Sequence, residues 1–228
     1  MAKATVNEDT LLGIEIPAIE LKTIKLKVIG DSPLIVHAWD EKSKRMMLDK
    51  QMKKATNGRE VKVPVRDFVN SLYWLDEDGN VTSVPEELQD ITNDTPQKDI
   101  VKVLLKGRFG FPSCAFKAAA VDAGYQQGVL AKKTSARGAF HILGDMVEIE
   151  GFPEMREDMV RIGMGTADIR YRGEFRKWTA TLTIRYNPKV MSAEQICNLL
   201  NLGGFANGVG EWRPSKDGSF GTFHVATA

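Results

Sequence analysis

Apolar and polar positions first alternate strictly in ELKTIKLKVIG, where Ile24, Leu26 and Val28 fall on one side and Lys25 and Lys27 on the other. A period of two predicts a half-buried strand from about Leu21 to Ile29. SPLIVHAWD follows as a short apolar stretch, and DEKSKRMMLDKQMKKA has the period of a basic helix. VPVRDFVNSLYWL then sets Val65, Phe68, Val69, Leu72 and Leu75 at three- and four-residue spacing, which predicts a core-facing helix. DEDGN and ITNDTPQ read as surface loop.

FPSCAFKAAAVDAG carries a further helix signal: Ser113 after Pro112 as N-cap, alanines inside, and Gly124 placed to end it. GAFHILGDMVEIEG predicts a strand from about 140 to 150. WTATLTIRYN is the cleanest strand, with Trp178, Ala180, Leu182, Ile184 and Tyr186 on one face and threonines and Arg185 on the other. Ser192 and Gln195 then form a capping box for a helix that Gly203 is placed to stop, and FGTFHVAT predicts a last strand. The order β-α-β-β-α-β is that of an α+β, ferredoxin-like (RRM-like) split βαβ core. On that reading residues 1–228 form a single domain with large insertions at about 30–110, helical and basic then acidic, and at 151–177, a basic hairpin.

Composition adds a soluble globular character, with 43% hydrophobic and 27% charged residues. No apolar run is long enough for a membrane span and the first residues lack a signal-peptide core, so a cytoplasmic protein is expected, without a membrane partner. Cys114 and Cys197 have no partner spacing for zinc or a disulfide framework and are expected as small buried hydrophobes. No metal and no cofactor is expected. The net charge of +1 conceals segregation: residues 42–66 hold nine Lys or Arg against two acids, 76–99 hold eight acids against one Lys, and 106–137 hold six basic residues against one acid. Such runs can build a local positive face for a polyanion, or can be solvated helix faces.

The tail GGFANGVGEWRPSKDGSFGTFHV places six glycines in 23 residues. Glycine there lets bare backbone N–H groups approach a phosphate, with Gly208 and Gly210 beside Trp212, Arg213 and Lys216 for stacking and charge; a plain turn-rich connector is the alternative. MGTADIRYRGEFRKW interleaves Arg170, Tyr171, Arg172, Arg176 and Lys177 with Phe175 and Trp178, as a sequence-tolerant strand binder needs, although its aromatics could equally face the core. Lys132, Lys133 and Arg137 extend the basic stretch after the alanine helix. His37 and Asp40 in HAWDEKSKRM could share acid–base work, but Asp40 in that position also serves to cap the basic helix.

The glycine loop, Gly208-Val-Gly210 through Gly218-Ser-Phe-Gly221, resembles the signature loop of the RAMP superfamily, the repeat-associated proteins of CRISPR effector complexes. GRFGFPSCAFKAAAVDAG is similar to the segment opening the first helix in the backbone subunits of those complexes, although Cys114 and Ala118 depart from the family pattern. The resemblance implies a sequence-independent binder of single-stranded RNA or DNA that oligomerises along the strand as a filament, with other effector-complex subunits as further partners. It also implies phosphate contacts at Ser113 and Lys117. The small size gives the expectation of a stand-alone, phage-encoded member at work in the host cytoplasm. Two other classes remain open on the sequence: a metal-independent endoribonuclease using His37 and Asp40, and a phage structural or replication scaffold whose basic and acidic segments meet between subunits.

Overall fold

A computed structural model describes residues 18–39, 41–54, 61–162 and 165–227 of the protein. Its strands are β1 (Lys22–Gly30), β2 (Leu34–Val36), β3 (Tyr73–Leu75), β4 (Arg108–Pro112), β5 (Phe140–Ile142), β6 (Met146–Glu150), β7 (Pro153–Ile162), β8 (Thr166–Phe175), β9 (Thr179–Tyr186) and β10 (Phe223–Val225). The helices are α1 (Glu41–Gln51), α2 (Pro64–Asn70), α3 (Gln97–Leu104), α4 (Ser113–Gln126), α5 (Lys133–Ala139) and α6 (Ala193–Ala206). The molecule is mixed α+β with antiparallel sheets. The larger sheet runs β10-β1-β9-β6-β4-β3, with β5 also on β9, and the smaller runs β2-β8-β7.

The alternation in β9 does what its period requires. Ala180, Leu182, Ile184 and Tyr186 are buried, and Thr181 and Arg185 are exposed beside the exposed Lys25 and Lys27 of β1. Helices α4 and α6 bury Phe116, Ala120, Ile196 and Leu200 completely in the same core. Each such large apolar side chain contributes about 1.5 to 3 kcal/mol relative to exposure. At the start of α6 the capping box is present: Gln195 N–H donates to Ser192 Oγ at 3.2 Å, and Ser192 N–H donates to Gln195 Oε1 at 2.9 Å.

Several expectations need correction. The helix through Leu75 stops at Asn70, and Tyr73–Leu75 instead pairs with β4. The Trp74 indole N–H donates to Val69 O at 2.9 Å, fixing the turn between the two. The strand expected at about 140–150 divides into β5 and β6, separated by a turn in which Gly144 takes φ 84°. Ser113 is the first residue of α4 and not its cap, because its hydroxyl donates to Gly144 O at 2.5 Å. Neither Gly124 nor Gly203 ends a helix. Each lies inside one, where a Cβ would run into Leu199 and into the Ala120 backbone respectively. The left-handed residues that follow the helices are Gly128 and Gly208. Cys114 is exposed and Cys197 partly so, contrary to the buried role expected of them. Among the described residues no helix is long and apolar enough to cross a membrane.

Candidate nucleic-acid interface

After α6 the chain turns on Gly208 (φ 64°) and Gly210 (φ 83°), a region open to glycine at little cost. The loop then docks against β2: Glu211 N–H donates to Ile35 O at 3.0 Å, Gly221 N–H to Pro33 O at 2.8 Å and Val209 N–H to Gly221 O at 2.9 Å. A Cβ on Gly210 would stand 2.5 Å from Ile35 O, so what approaches the glycines is the protein's own backbone. Gly208 N–H is likewise engaged with Gly203 O at 2.9 Å, and Gly218 N–H with Arg213 O at 3.2 Å. Backbone donors in a packed loop must find partners. The amides of Gly208, Val209, Glu211, Gly218 and Gly221 are therefore committed within the fold and are not the bare donors expected of the tail.

Between this loop and α4 lies a cavity of about 430 Å³, lined among others by His37, Tyr73, Asp122, Glu211, Arg213 and Lys216. Burial, and then the charges of Glu211 and Cys114, push the Tyr73 phenol above its ordinary pKa. The Arg213 guanidinium donates to Gly210 O at 2.7 Å and to Ser215 Oγ at 3.0 Å, which fixes it at the cavity wall. Lys216 is exposed, and Trp212 is 40% exposed with a left-handed φ of 51°. Asp122 pairs with Lys133 at 2.9 Å, and Lys133 also lies over the Tyr125 ring; Lys132 is exposed next to it.

A second cluster lies on another side of α4. At roughly 100° per residue, Lys117 points away from the face of Ala118 and Asp122 that lines the cavity. Its Nζ donates to Arg137 O at 2.7 Å and lies 3.3 Å from His141 Nδ1. His141 is the cross-strand partner of Arg185 in the β5–β9 register. Burial first, then the Arg137 charge, lowers the Lys117 pKa; burial first, then Lys117 and Arg185, lowers that of His141. Every charge that shifts these two groups is a cation. Like charges held together cost energy that a bound anion would repay.

The basic hairpin β7–β8 forms, and most of its arginines are paired with carboxylates, Arg172 in the interior and Arg170 and Arg176 at the surface. Arg172 is buried against Asp158 at 3.1 Å, Arg176 pairs with Glu154 at 3.1 Å, and Arg170 lies 3.7 Å from Asp168. Arg156 joins Asp158 and Glu174, each at 2.9 Å. Tyr171 has the Lys62 ammonium 5.8 Å from its ring centroid, and Lys177 is exposed. Trp178 belongs to the core, 2% exposed, its indole N–H on Ser32 O at 2.9 Å. Arg172, Asp158, Arg156 and Glu174 thus make a largely buried ion network, while Arg170 and Arg176 form surface pairs.

The residues singled out from sequence consequently fall into three places. Lys117 and Arg137 join one cluster, Gly208, Gly210, Arg213 and Lys216 gather at the tail loop with Trp212 next to them, and Arg170, Tyr171, Arg172 and Arg176 belong to the hairpin. Ser113 is buried and turned onto Gly144. His37 lines the cavity, while Asp40 lies outside the described residues. Among the described residues no group of three His, Cys, Asp or Glu is placed to hold a metal ion. Sequence reasoning missed His141 and Arg185, whose signal is the pairing of two strands distant in sequence.

No family model matches the chain, and no curated protein matches it. Among solved structures it is similar to Cmr6 from Pyrococcus furiosus, at 12% identity and a TM-score of 0.35, over 92% of this chain and 100% of that one. The likeness is weak.

Proposed function

We propose that this protein binds single-stranded nucleic acid, RNA or DNA, without reading its sequence, and that copies line up side by side along the strand. The observation that carries the reading is the gathering of three cations, Lys117, Arg137 and Arg185, about the His141 imidazole, in which each charge acting on Lys117 and His141 is positive. A phosphate is the simplest ligand that would relieve it, and a row of phosphates would extend past the exposed Thr23, Lys25 and Thr181 of the same sheet face, where Lys27 is held by Glu150 at 3.1 Å. The strand order β10-β1-β9-β6, with α4 and α6 on one face, supports a ferredoxin-like core, and with it the resemblance of the glycine loop and the FPSCAFKAAA segment to RAMP proteins. Arg213, Lys216 and Trp212 form a second contact at the tail loop.

Titrating affinity for a labelled homopolymer against salt tests the reading. For a single strand the logarithm of the binding constant should fall with a slope of about 0.7 per phosphate neutralised. Lys117→Met with Arg185→Gln should reduce that slope by roughly 1 to 1.5. Absence of binding to any single strand at low salt, or a slope indifferent to the double substitution, overturns it.

A further inference from the structure

Helix α1 is an anomaly of the fold. It spans 11 residues, and isolated helices shorter than about 12 to 15 residues are marginal in water. Its large apolar side chains stand outside the core, with Met46 60% exposed, Met47 49% and Leu48 54%, and Met52 just after its last residue is 57% exposed. Arg45 and Lys50 are exposed among them, as are Lys53 and Lys54 beyond the helix, where Lys54 pairs with the helix's Asp49 at 3.3 Å. A helix that presents methionines and basic groups together is built to be covered, and phosphate alone would leave the methionines wet.

Elsewhere on the same chain is a hollow of about 570 Å³ whose floor is Trp74, Leu75, Leu88, Ile100 and Val103. Asp76, Glu77, Glu87 and Asp99 stand on its rim, with Lys102 and Lys106 on one wall. The remaining cation, Arg108, is neutralised by Glu148, which it holds with two charge-assisted hydrogen bonds of 2.8 and 2.6 Å. The hollow is apolar below and net acidic above. Those are the complements of α1.

We infer that α1 of one copy docks into the Trp74–Leu88–Ile100 hollow of the next. It rests on the reading of copies side by side along a strand, and supplies the surfaces by which they meet. The contact is head-to-tail: each copy, having given its helix and not its hollow, still offers the hollow, so the array propagates as a ring or a filament. Nucleic acid is not part of this interface.

Mass by sedimentation, without nucleic acid and over a range of concentrations, tests the inference. The wild-type chain should grow beyond one copy as concentration rises. Arg45→Glu with Lys50→Glu makes the helix acidic, and Glu77→Lys with Glu87→Lys makes the hollow rim basic. Each double variant should self-associate at least about tenfold more weakly than wild type. An equimolar mixture of the two should recover assembly, because each then meets its opposite charge; a misfolded variant could not do so. Met46→Ser with Leu48→Ser should weaken assembly without changing any charge. A wild type that stays a single chain throughout, double variants that on their own assemble like wild type, or a mixture that fails to recover each overturns the docking. Binding of a six-nucleotide single strand, too short to bridge copies, is measured alongside. Its loss in every protein removes the nucleic-acid reading while leaving the docking result to stand by its own outcome.

Discussion

The Arg172 guanidinium, 4% exposed, holds the Asp158 carboxylate at 3.1 Å across the β7–β8 hairpin. Asp158 also accepts from Arg156, whose guanidinium lies 4.5 Å from the Phe220 ring centroid and so ties the hairpin to the tail loop. Arg172 Nε is buried without a hydrogen-bond partner, so Asp158 is the group that offsets the burial of this guanidinium. Asp158→Ala leaves two guanidinium groups without their shared anion and should lower stability by about 3 to 5 kcal/mol, read from urea unfolding. Asp158→Leu combined with Arg172→Met should recover most of that loss. Short single strands should still bind the folded double variant as tightly as wild type, since Arg172 has no open face to offer them.

Two helical glycines should respond to the same substitution with opposite signs. A Cβ on Gly203 of α6 would stand 2.5 Å from the Ala120 nitrogen of α4, a contact neither backbone can give way to. Gly203→Ala should cost about 1 to 3 kcal/mol. Gly138 of α5 has nothing within 4 Å of its ideal Cβ position and no positive φ. Gly138→Ala should therefore stabilise the protein by about 0.5 to 1 kcal/mol, the ordinary helix preference. Thermal unfolding of the pair decides both.

Local chemistry carried the legible part of the fold. The alternation of β1 and β9 and the Ser192–Gln195 capping box each depend on neighbours in sequence. YWL could not be separated from the preceding helix because Leu72 and Leu75 extend its spacing, and only pairing with RFGFP makes it a strand. Which glycines turn a helix and which lie inside one depends on the partner backbone, as Gly203 on Ala120 shows. For the site, Lys117 and Arg137 were visible as basic residues, whereas His141 and Arg185 meet only through strand register. In the hairpin, Arg172 and Arg176 were counted without Asp158 and Glu154 of PEMRED on the opposing strand, which pair with them, and Arg170 without Asp168 of its own strand.

The depressed His141 pKa gives a pH signature with two opposite signs. In the free protein, burial and the Lys117 and Arg185 charges disfavour the imidazolium, so the unfolded chain binds the extra proton first. Stability on this account is full above the ordinary histidine value of about 6.5 and declines as pH falls from there through the lower folded value. A bound phosphate reverses the local field and raises the His141 pKa. Oligonucleotide affinity should accordingly strengthen as pH falls through that range, with proton uptake measurable by calorimetry in buffers of different ionisation enthalpy. His141→Asn should abolish the uptake, and Lys117→Met should move the free His141 titration, followed by NMR, upward.

Trp212 joins an exposed indole to a backbone that its side chain disfavours. Its φ of 51° costs a non-glycine residue on the order of 1 to 2 kcal/mol, and its ring is 40% exposed. A residue kept in a strained conformation with its aromatic face in water suggests a stacking platform beside Arg213 and Lys216. Trp212→Gly releases the strain while losing only partial burial, so stability should stay within about 1 kcal/mol of wild type. Stacking is worth about 1 to 3 kcal/mol per base, so affinity for a short single strand should fall by roughly 5- to 150-fold. Equal affinity in the variant, measured by fluorescence anisotropy at fixed salt, would leave the tail loop a structural strap alone and confine strand binding to the Lys117–Arg185 edge.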